Sequence, residues 1–365
     1  MSSRQGVGAL AINPDETDAR CVRPMLPTSH IEMLRRHTRQ RWSAAPCGSP
    51  SCSMSDNCDC PMTPTEPDED RRVLINVAYR MLGSLADAED AVQDAYVRWY
   101  RLTPDQRASV ESVTAWLVQV TSRICLDVLR SAPRRREHYL GEWLPEPVPA
   151  RPRWRSDHGA GTGADPADPA DRVTLDESVS TALLVVLETL TPAERVAFVL
   201  HDVFRHTFVE IAAIVGRSPA ACRQLATAAR RRIAGSAVAR TETSVDAAIV
   251  AALKEAWDKA DLDGLAALLD PDVVAVTDGG GLVSAPIEAI HGAVDVARLL
   301  VDVPRRQPGP IVRPATVNGT SGIEASDGHR TLAVISIAAA NGRITHLWIV
   351  RNPTKLAAWN ATRAR

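Results

Sequence analysis

FVEIAAIVGRSPAACRQLATAARRRI, residues 208–233, is the stretch that decides how this chain is read. Phe208, Ile211, Ala212 and Val215 recur at helical spacing and give a first helix a buried stripe, which Gly216 ends. Ser218 suits an N-cap and Pro219 the first helical position, so a second helix begins there. Around that helix Cys222, Leu225, Ala226, Ala229 and Ile233 share one face. Ala220, Arg223, Gln224, Thr227, Arg230 and Arg231 share the other, with no acid among them. With Arg217 and Ser218 at the turn, the pattern predicts a helix-turn-helix whose second helix enters a DNA major groove. Its first side chains would reach base edges and its arginines phosphates. The plainer alternative, a core helix with a solvated basic face, accounts less well for the capped turn and the absence of acids.

Residues 71–137 carry three more amphipathic segments. In the second, Ala88, Ala91, Val92, Ala95, Tyr96 and Trp99 share a face opposite Glu89, Asp90 and Asp94. The third directs Val113, Leu117, Val120, Ile124 and Val128 inward, and Gln119, Ser122, Arg123 and Arg130 outward. It runs into the basic cluster Arg134, Arg135 and Arg136. One helical domain thus carries an acidic surface beside a basic one, which suits a part held between a protein and DNA.

VAYRMLGSLADAEDAVQDAYVRWYRL (77–102) and AWLVQVTSRICLDVLRS (115–131) resemble region two of the bacterial extracytoplasmic-function sigma factors, and residues 183–233 resemble their region four. The resemblance implies that Asp87, Glu89, Asp90 and Asp94 grip RNA polymerase. It implies that the 102–112 loop captures an unstacked base of the minus-ten element with Gln119, Ser122, Arg123, Arg130, Arg134 and Arg135. Capturing a flipped base offsets the few kcal/mol that unstacking costs. The helix-turn-helix would read the minus-thirty-five duplex.

A length of 365 residues allows two or three domains, and the net charge of −2 hides a segregated distribution of bases and acids. No apolar run approaches the roughly 20 residues that span a bilayer, and the first thirty residues lack signal-peptide order. The expectation is a cytoplasmic protein. Residues 1–65 hold Cys21, Cys47, Cys52, Cys58 and Cys60 with little periodic apolar pattern. Their spacing lacks paired C-x-x-C knuckles, so the reading is a disordered extension without metal; a zinc site, or a natural start at Met54 or Met62, stays open.

Residues 66–138 and 173–238 would form the two helical domains, joined by a linker at 139–172. The linker contains six prolines between residues 145 and 170 and a DPADPAD near-repeat, so it should be extended. Ahead of these lie Trp143, Leu144 and Pro145, which either dock on another surface or cap the preceding bundle. The resemblance favours docking, because a WLPEP motif marks a sigma-factor group with an additional SnoaL-like domain. Residues 243–360 fit such a domain: two helical patterns before Leu269, a strand at 273–276, and DGGG at 278–281. A helix over 291–300 follows, with strands at 311–317, 331–338 and 343–350, the last two joined by Asn341-Gly342. The fold class is therefore two all-α domains followed by an α+β cone.

Asp278, His291 and His346 are the candidate acid or base groups of that cone. Each has a simpler reading, as a turn residue, a helix boundary and a strand residue respectively, so no catalytic role is assigned. The resemblance instead makes the domain regulatory through Asp278, Gly279, Gly280 and Gly281 and through Asn352, Pro353, Lys355 and Leu356 against the linker. This chain departs from the pattern with Leu282 where relatives carry Lys and Thr354 where they carry an acid. The implied partners are RNA polymerase core (clamp and flap) and promoter DNA, with no separate anti-sigma factor, no membrane and no cofactor. The cone has room for a small-molecule ligand. Two other readings compete with a sigma factor: a ligand-responsive DNA-binding regulator, and a SnoaL-type enzyme fused to a DNA-binding module. The acidic face at 87–94 weighs against the first, because DNA binding alone gains nothing from it.

Overall fold

A computed structural model describes residues 68–136, 139–149, 180–236, 238, 245–305 and 309–363. The cysteines of the N-terminal 65 residues lie outside the described residues. The first bundle comprises α1 (Asp68–Leu82), α2 (Leu85–Arg101), the short α3 (Pro104–Ala108) and α4 (Val113–Arg136). Ser84 starts α2 by accepting from the Asp87 N–H. Thr103 and Gln106 cap α3 reciprocally, satisfying amides that the first helical turn leaves without partners. Ala88, Ala91, Val92 and Ala95 bury their face with Leu74, Ala78 and Leu117.

The second bundle comprises α5 (Thr181–Leu187), α6 (Pro192–Phe198), a π-helical turn (Val199–Val203), α7 (Phe208–Val215) and α8 (Pro219–Gly235). Thr207 and Glu210 box the start of α7, Gly216 ends it at φ 74°, and Ser218 caps α8. The helix-turn-helix therefore follows directly from its capping residues.

Both bundles share one apolar core. Arg195 of α6 is buried between them, donating to the Leu187 carbonyl at 2.9 Å, the Met81 carbonyl of α1 at 2.8 Å and the Glu188 carboxylate at 2.7 Å. Consequently α4 packs on α1 and α2 from one side and on α6 and α7 from the other. This corrects two sequence assignments. Ser122, expected outward, is fully buried, and Val113, expected inward, is the first residue of its helix and 37% exposed. A single-stripe projection fails on a helix covered along two faces.

The C-terminal domain runs α9 (Ala247–Asp258), α10 (Leu262–Leu268), β1 (Leu269–Asp278), β2 (Ile290–His291), α11 (Ala293–Arg305), β3 (Ile311–Val317), β4 (Thr320–Ser326), β5 (Thr331–Ala340), β6 (Arg343–Val350) and α12 (Ala357–Arg363). Its sheet has the order β2-β1-β6-β5-β4-β3, with β1 and β6 parallel and every other pair antiparallel. Strand β1 is longer than the sequence suggested, β2, β4 and α12 are additions, and His291 lies in β2 rather than opening a helix. Because side chains alternate along a strand, the sheet has two apolar faces. The inner one packs Ala275, Ile335, Leu347 and Ile349 against α9, α10 and α11. The outer one gathers Val276, Val334, Trp348 and Val350 with Leu144 of the linker, Leu356 and Trp359.

Candidate nucleic-acid interface and interdomain clasp

Helix α8 turns Ala220, Arg223, Gln224, Thr227, Arg230 and Arg231 to solvent, with Arg217 and Ser218 exposed at its start. The Arg223 guanidinium lies 5.3 Å from the Phe208 ring centre, and the Thr227 hydroxyl donates to the Arg223 carbonyl. Arg230 is held by Asp202 at 2.8 Å. The face is a continuous cationic surface with one arginine anchored.

The basic row of α4 is arranged differently. Gln119 is half-buried and Arg130 is exposed, 3.4 Å from Asp127. Arg123 is exposed but donates from Nη2 to the Ala213 carbonyl of α7 at 2.7 Å, so the second bundle engages it. Ser122 is not on this surface at all. Arg134 and Arg135 lie in the last turn of α4, and their side chains are outside the described residues. On α2, Glu89, Asp90 and Asp94 are exposed and Asp87 is partly buried.

The linker residues 139–149 lie between the first bundle and the outer face of the sheet. Asp278, at the end of β1, is fully buried. Its Oδ1 accepts from the Tyr139 hydroxyl at 2.5 Å and the Gly280 amide at 3.0 Å. Its Oδ2 accepts from the Leu144 amide at 2.9 Å and the Lys355 ammonium at 2.7 Å. Four donors on one buried carboxylate satisfy it fully. Lys355 also donates to the Leu144 carbonyl, and its Nζ sits 4.1 Å from the Trp143 ring centre. Asn352 donates to the Tyr139 hydroxyl at 3.0 Å and would collide with any side chain at Gly280, whose φ is 61°. Pro145 and Leu356 are buried, whereas Pro353 is exposed. Of the two departures from the family pattern, Leu282 is 63% exposed. Thr354 closes a local turn instead, its hydroxyl donating to Asn352 Oδ1 at 2.8 Å.

Sequence reasoning did not find the rest of this network. The Glu146 carboxylate accepts from the Leu85 amide at the start of α2 at 2.8 Å, and its own amide donates to the Gly83 carbonyl. Burial pushes the Glu146 carboxyl up to about 7, opposed by the Leu85 amide and by Lys355. Tyr79 of α1 donates to the Glu146 carbonyl at 2.6 Å and accepts from Asn318 at 3.0 Å. Asn318 in turn exchanges bonds with Val148, and Trp359 donates to the Pro147 carbonyl. Thr181 of α5 meets Ser336 of β5 at 2.7 Å, so the second bundle also touches the outer face. The usable signals were isolated: a tyrosine and a tryptophan with polar tips, and an Asn-Gly pair bounding a strand.

The three acid or base candidates do not converge. Asp278 is occupied in the clasp, His291 is exposed on β2, and His346 stacks on Trp348 with centroids 5.5 Å apart on the outer face. Burial lowers the His346 pKa.

Comparison with known proteins places this architecture. The Sigma-70 region 2 model matches residues 68–135 and the Sigma-70, region 4 model matches residues 180–233. Those two regions in that order define a promoter-recognition subunit of RNA polymerase. ECF RNA polymerase sigma factor SigJ of Mycobacterium tuberculosis is 39% identical over 78% of this chain and 90% of its own length. The probable ECF sigma factor SigI of the same species is 34% identical over 78% of this chain and 92% of its own length. The crystal structure of M. tuberculosis SigJ superposes with a TM-score of 0.60 at 35% identity, covering 80% of this chain and 97% of that one. The chain belongs to the extracytoplasmic-function (ECF) RNA polymerase sigma factors, and its fused C-terminal α+β domain is matched by the SigJ structure. Its partners are therefore core polymerase and promoter DNA, and its work is transcription initiation rather than catalysis. No helix among the described residues is long and apolar enough to cross a membrane.

Proposed function

We propose that this sigma factor rests in a closed form in which region four, held in place by the C-terminal domain, withholds the minus-ten reader while leaving the minus-thirty-five reader open. One observation carries the reading: Arg123, on the α4 face assigned to the minus-ten strand, is bonded to the Ala213 carbonyl of region four, while the outer face of α8 is exposed. In the open form, Gln119, Arg123 and Arg130, continued by Arg134 and Arg135, take the melted strand. Arg217, Ser218, Ala220, Arg223, Gln224 and Thr227 take bases and backbone of the upstream duplex, with Arg230 and Arg231 on phosphates. Asp87, Glu89, Asp90 and Asp94 face the polymerase clamp, and region four meets the flap.

The clasp of Asp278, Gly279, Gly280, Gly281, Asn352, Pro353, Lys355 and Leu356 on Trp143, Leu144 and Pro145 sets how readily the two regions separate. This domain acts in cis, so no separate anti-sigma factor is required, and the protein works in the cytoplasm. The test is run-off transcription from a matched promoter with purified core polymerase. Asp278→Asn should raise initiation relative to the parent chain at equal core binding. Equal initiation by both would remove the clasp from the mechanism.

A further inference from the structure

The inner face of the C-terminal sheet opens as a cleft walled mainly by apolar side chains: Trp257 from α9, Leu299 and Leu300 from α11, and Ala333, Ile335 and Ile349 from the sheet. Two features of the walls are polar. Arg351, just past β6, is half-buried, and of its guanidinium nitrogens only Nη1 has a partner among the described residues, the Ser284 carbonyl. Burial holds its guanidinium below the usual range, so a nearby anion would stabilise the charged form. The indole N–H of Trp257 is buried and has no acceptor among the described residues, although such groups normally find one. None of the acid or base candidates lines this cleft, so its chemistry is that of a binding site.

We infer that the cleft binds an elongated apolar molecule with a single carboxylate, the chain or ring lying among Leu299, Leu300, Ile335 and Ile349 and the carboxylate pairing with Arg351. A planar guanidinium fork matches a carboxylate in geometry as well as charge. The site lies on the back of the clasp. Strands β1 and β6 pair Thr277 with Ile349 and Asp278 with Val350. Thr277, Ile349 and Arg351 line the cleft, whereas Asp278, Val350 and Asn352 belong to the outer side. The amides of Arg351 and Asn352 both donate to the Asp278 carbonyl, at 2.8 and 2.9 Å. A ligand that draws on Arg351 therefore pulls at the backbone carrying both halves of the clasp. This second limb rests on the closed-form reading above; the binding itself does not.

The experiment is calorimetric titration of the full chain with decanoate and, separately, 1-decanol, which share a tail and differ in head charge. Saturable decanoate binding is expected. Leu299→Trp, which fills the mouth, should weaken both ligands. Arg351→Met should weaken decanoate at least about tenfold with little effect on the alcohol, and Arg351→Lys should restore part of the loss. Circular dichroism and thermal midpoints near those of the parent certify that the variants fold. Absence of saturable decanoate binding, or binding that ignores Leu299→Trp, overturns the site. Equal losses for acid and alcohol in Arg351→Met overturn the carboxylate assignment. Hydrogen exchange at the Leu144 amide, which donates to Asp278, reads the second limb. It should accelerate on decanoate binding, and an unchanged rate overturns the coupling without touching the site.

Discussion

Asp278 concentrates the energetics of this molecule in one side chain. A buried carboxylate with four donors is stable only as a set, and removing one partner of a buried ion pair typically costs about 3–5 kcal/mol because the other charge is stranded. Asp278→Asn should therefore lower the thermal midpoint of the full chain through the orphaned Lys355. Adding Lys355→Met, which removes the stranded charge, should recover part of that loss in the same melts. Glu146 makes the stability of the fold depend on pH. Its folded pKa is raised to about 7, so the fold favours its protonated form, and that stabilisation is complete below the unfolded carboxylate range. It is lost as pH rises through the folded value. Melts of the parent chain and Glu146→Gln between about pH 5 and about pH 8 should show the parent losing ground on the alkaline side. Parallel curves would mean that Glu146 is not buried as described. Gly83 makes a steric case of its own: its φ is 70°, and a Cβ there would lie 2.8 Å from the Trp143 ring. Gly83→Ala should free the linker, visible as faster proteolysis between residues 139 and 149.

Among the elements, α8 is the one whose role can be dissected side chain by side chain. Arg223→Ala should weaken specific promoter binding by about 1–3 kcal/mol and relax preference at one base position if that side chain reads a base edge. Anisotropy titrations on single-base variants of the duplex separate this from a uniform loss, which marks a phosphate contact. The helix-turn-helix was legible because its signals are local: Gly216, Ser218 and Pro219 each specify backbone within three or four residues. Strand β4 was not, because TSGIEAS carries two serines, a glycine and a glutamate, and takes its strand form from pairing on both sides with β3 and β5. Helix α4 misled for the converse reason. Its apolar stripe was real, but Ser122 is buried beside it because a second bundle covers the neighbouring face. The clasp motifs were reached only through resemblance, since nothing local to Asp278 or Asn352 announces a partner more than sixty residues away. Tyr79 and Asn318 had not even that signal.

For the molecule as a whole, the closed arrangement predicts a split in DNA binding. A labelled duplex bearing only the upstream element should bind the parent chain and Asp278→Asn alike, because α8 faces solvent in both. A labelled single strand bearing the downstream element should bind Asp278→Asn more tightly, because release of the second bundle frees Arg123. Equal affinities for the single strand would argue that region four already leaves α4 in solution.

The parallel pairing of β1 with β6 carries a consequence for how such a chain tolerates change in length. Parallel strands end at the same edge of a sheet, so Asp278 and Asn352 meet although 73 residues separate them in sequence. Everything between the two strands is a detour that returns to its starting edge, and residues added at the Asp327–Arg330 turn would leave both motifs in place. A single residue added within Leu347–Val350 would do the reverse. Side chains beyond it would change sides of the sheet, sending Asn352 inward and Arg351 outward. The frame of one strand thus keeps the ligand face and the clasp face apart, and one inserted codon there would exchange them.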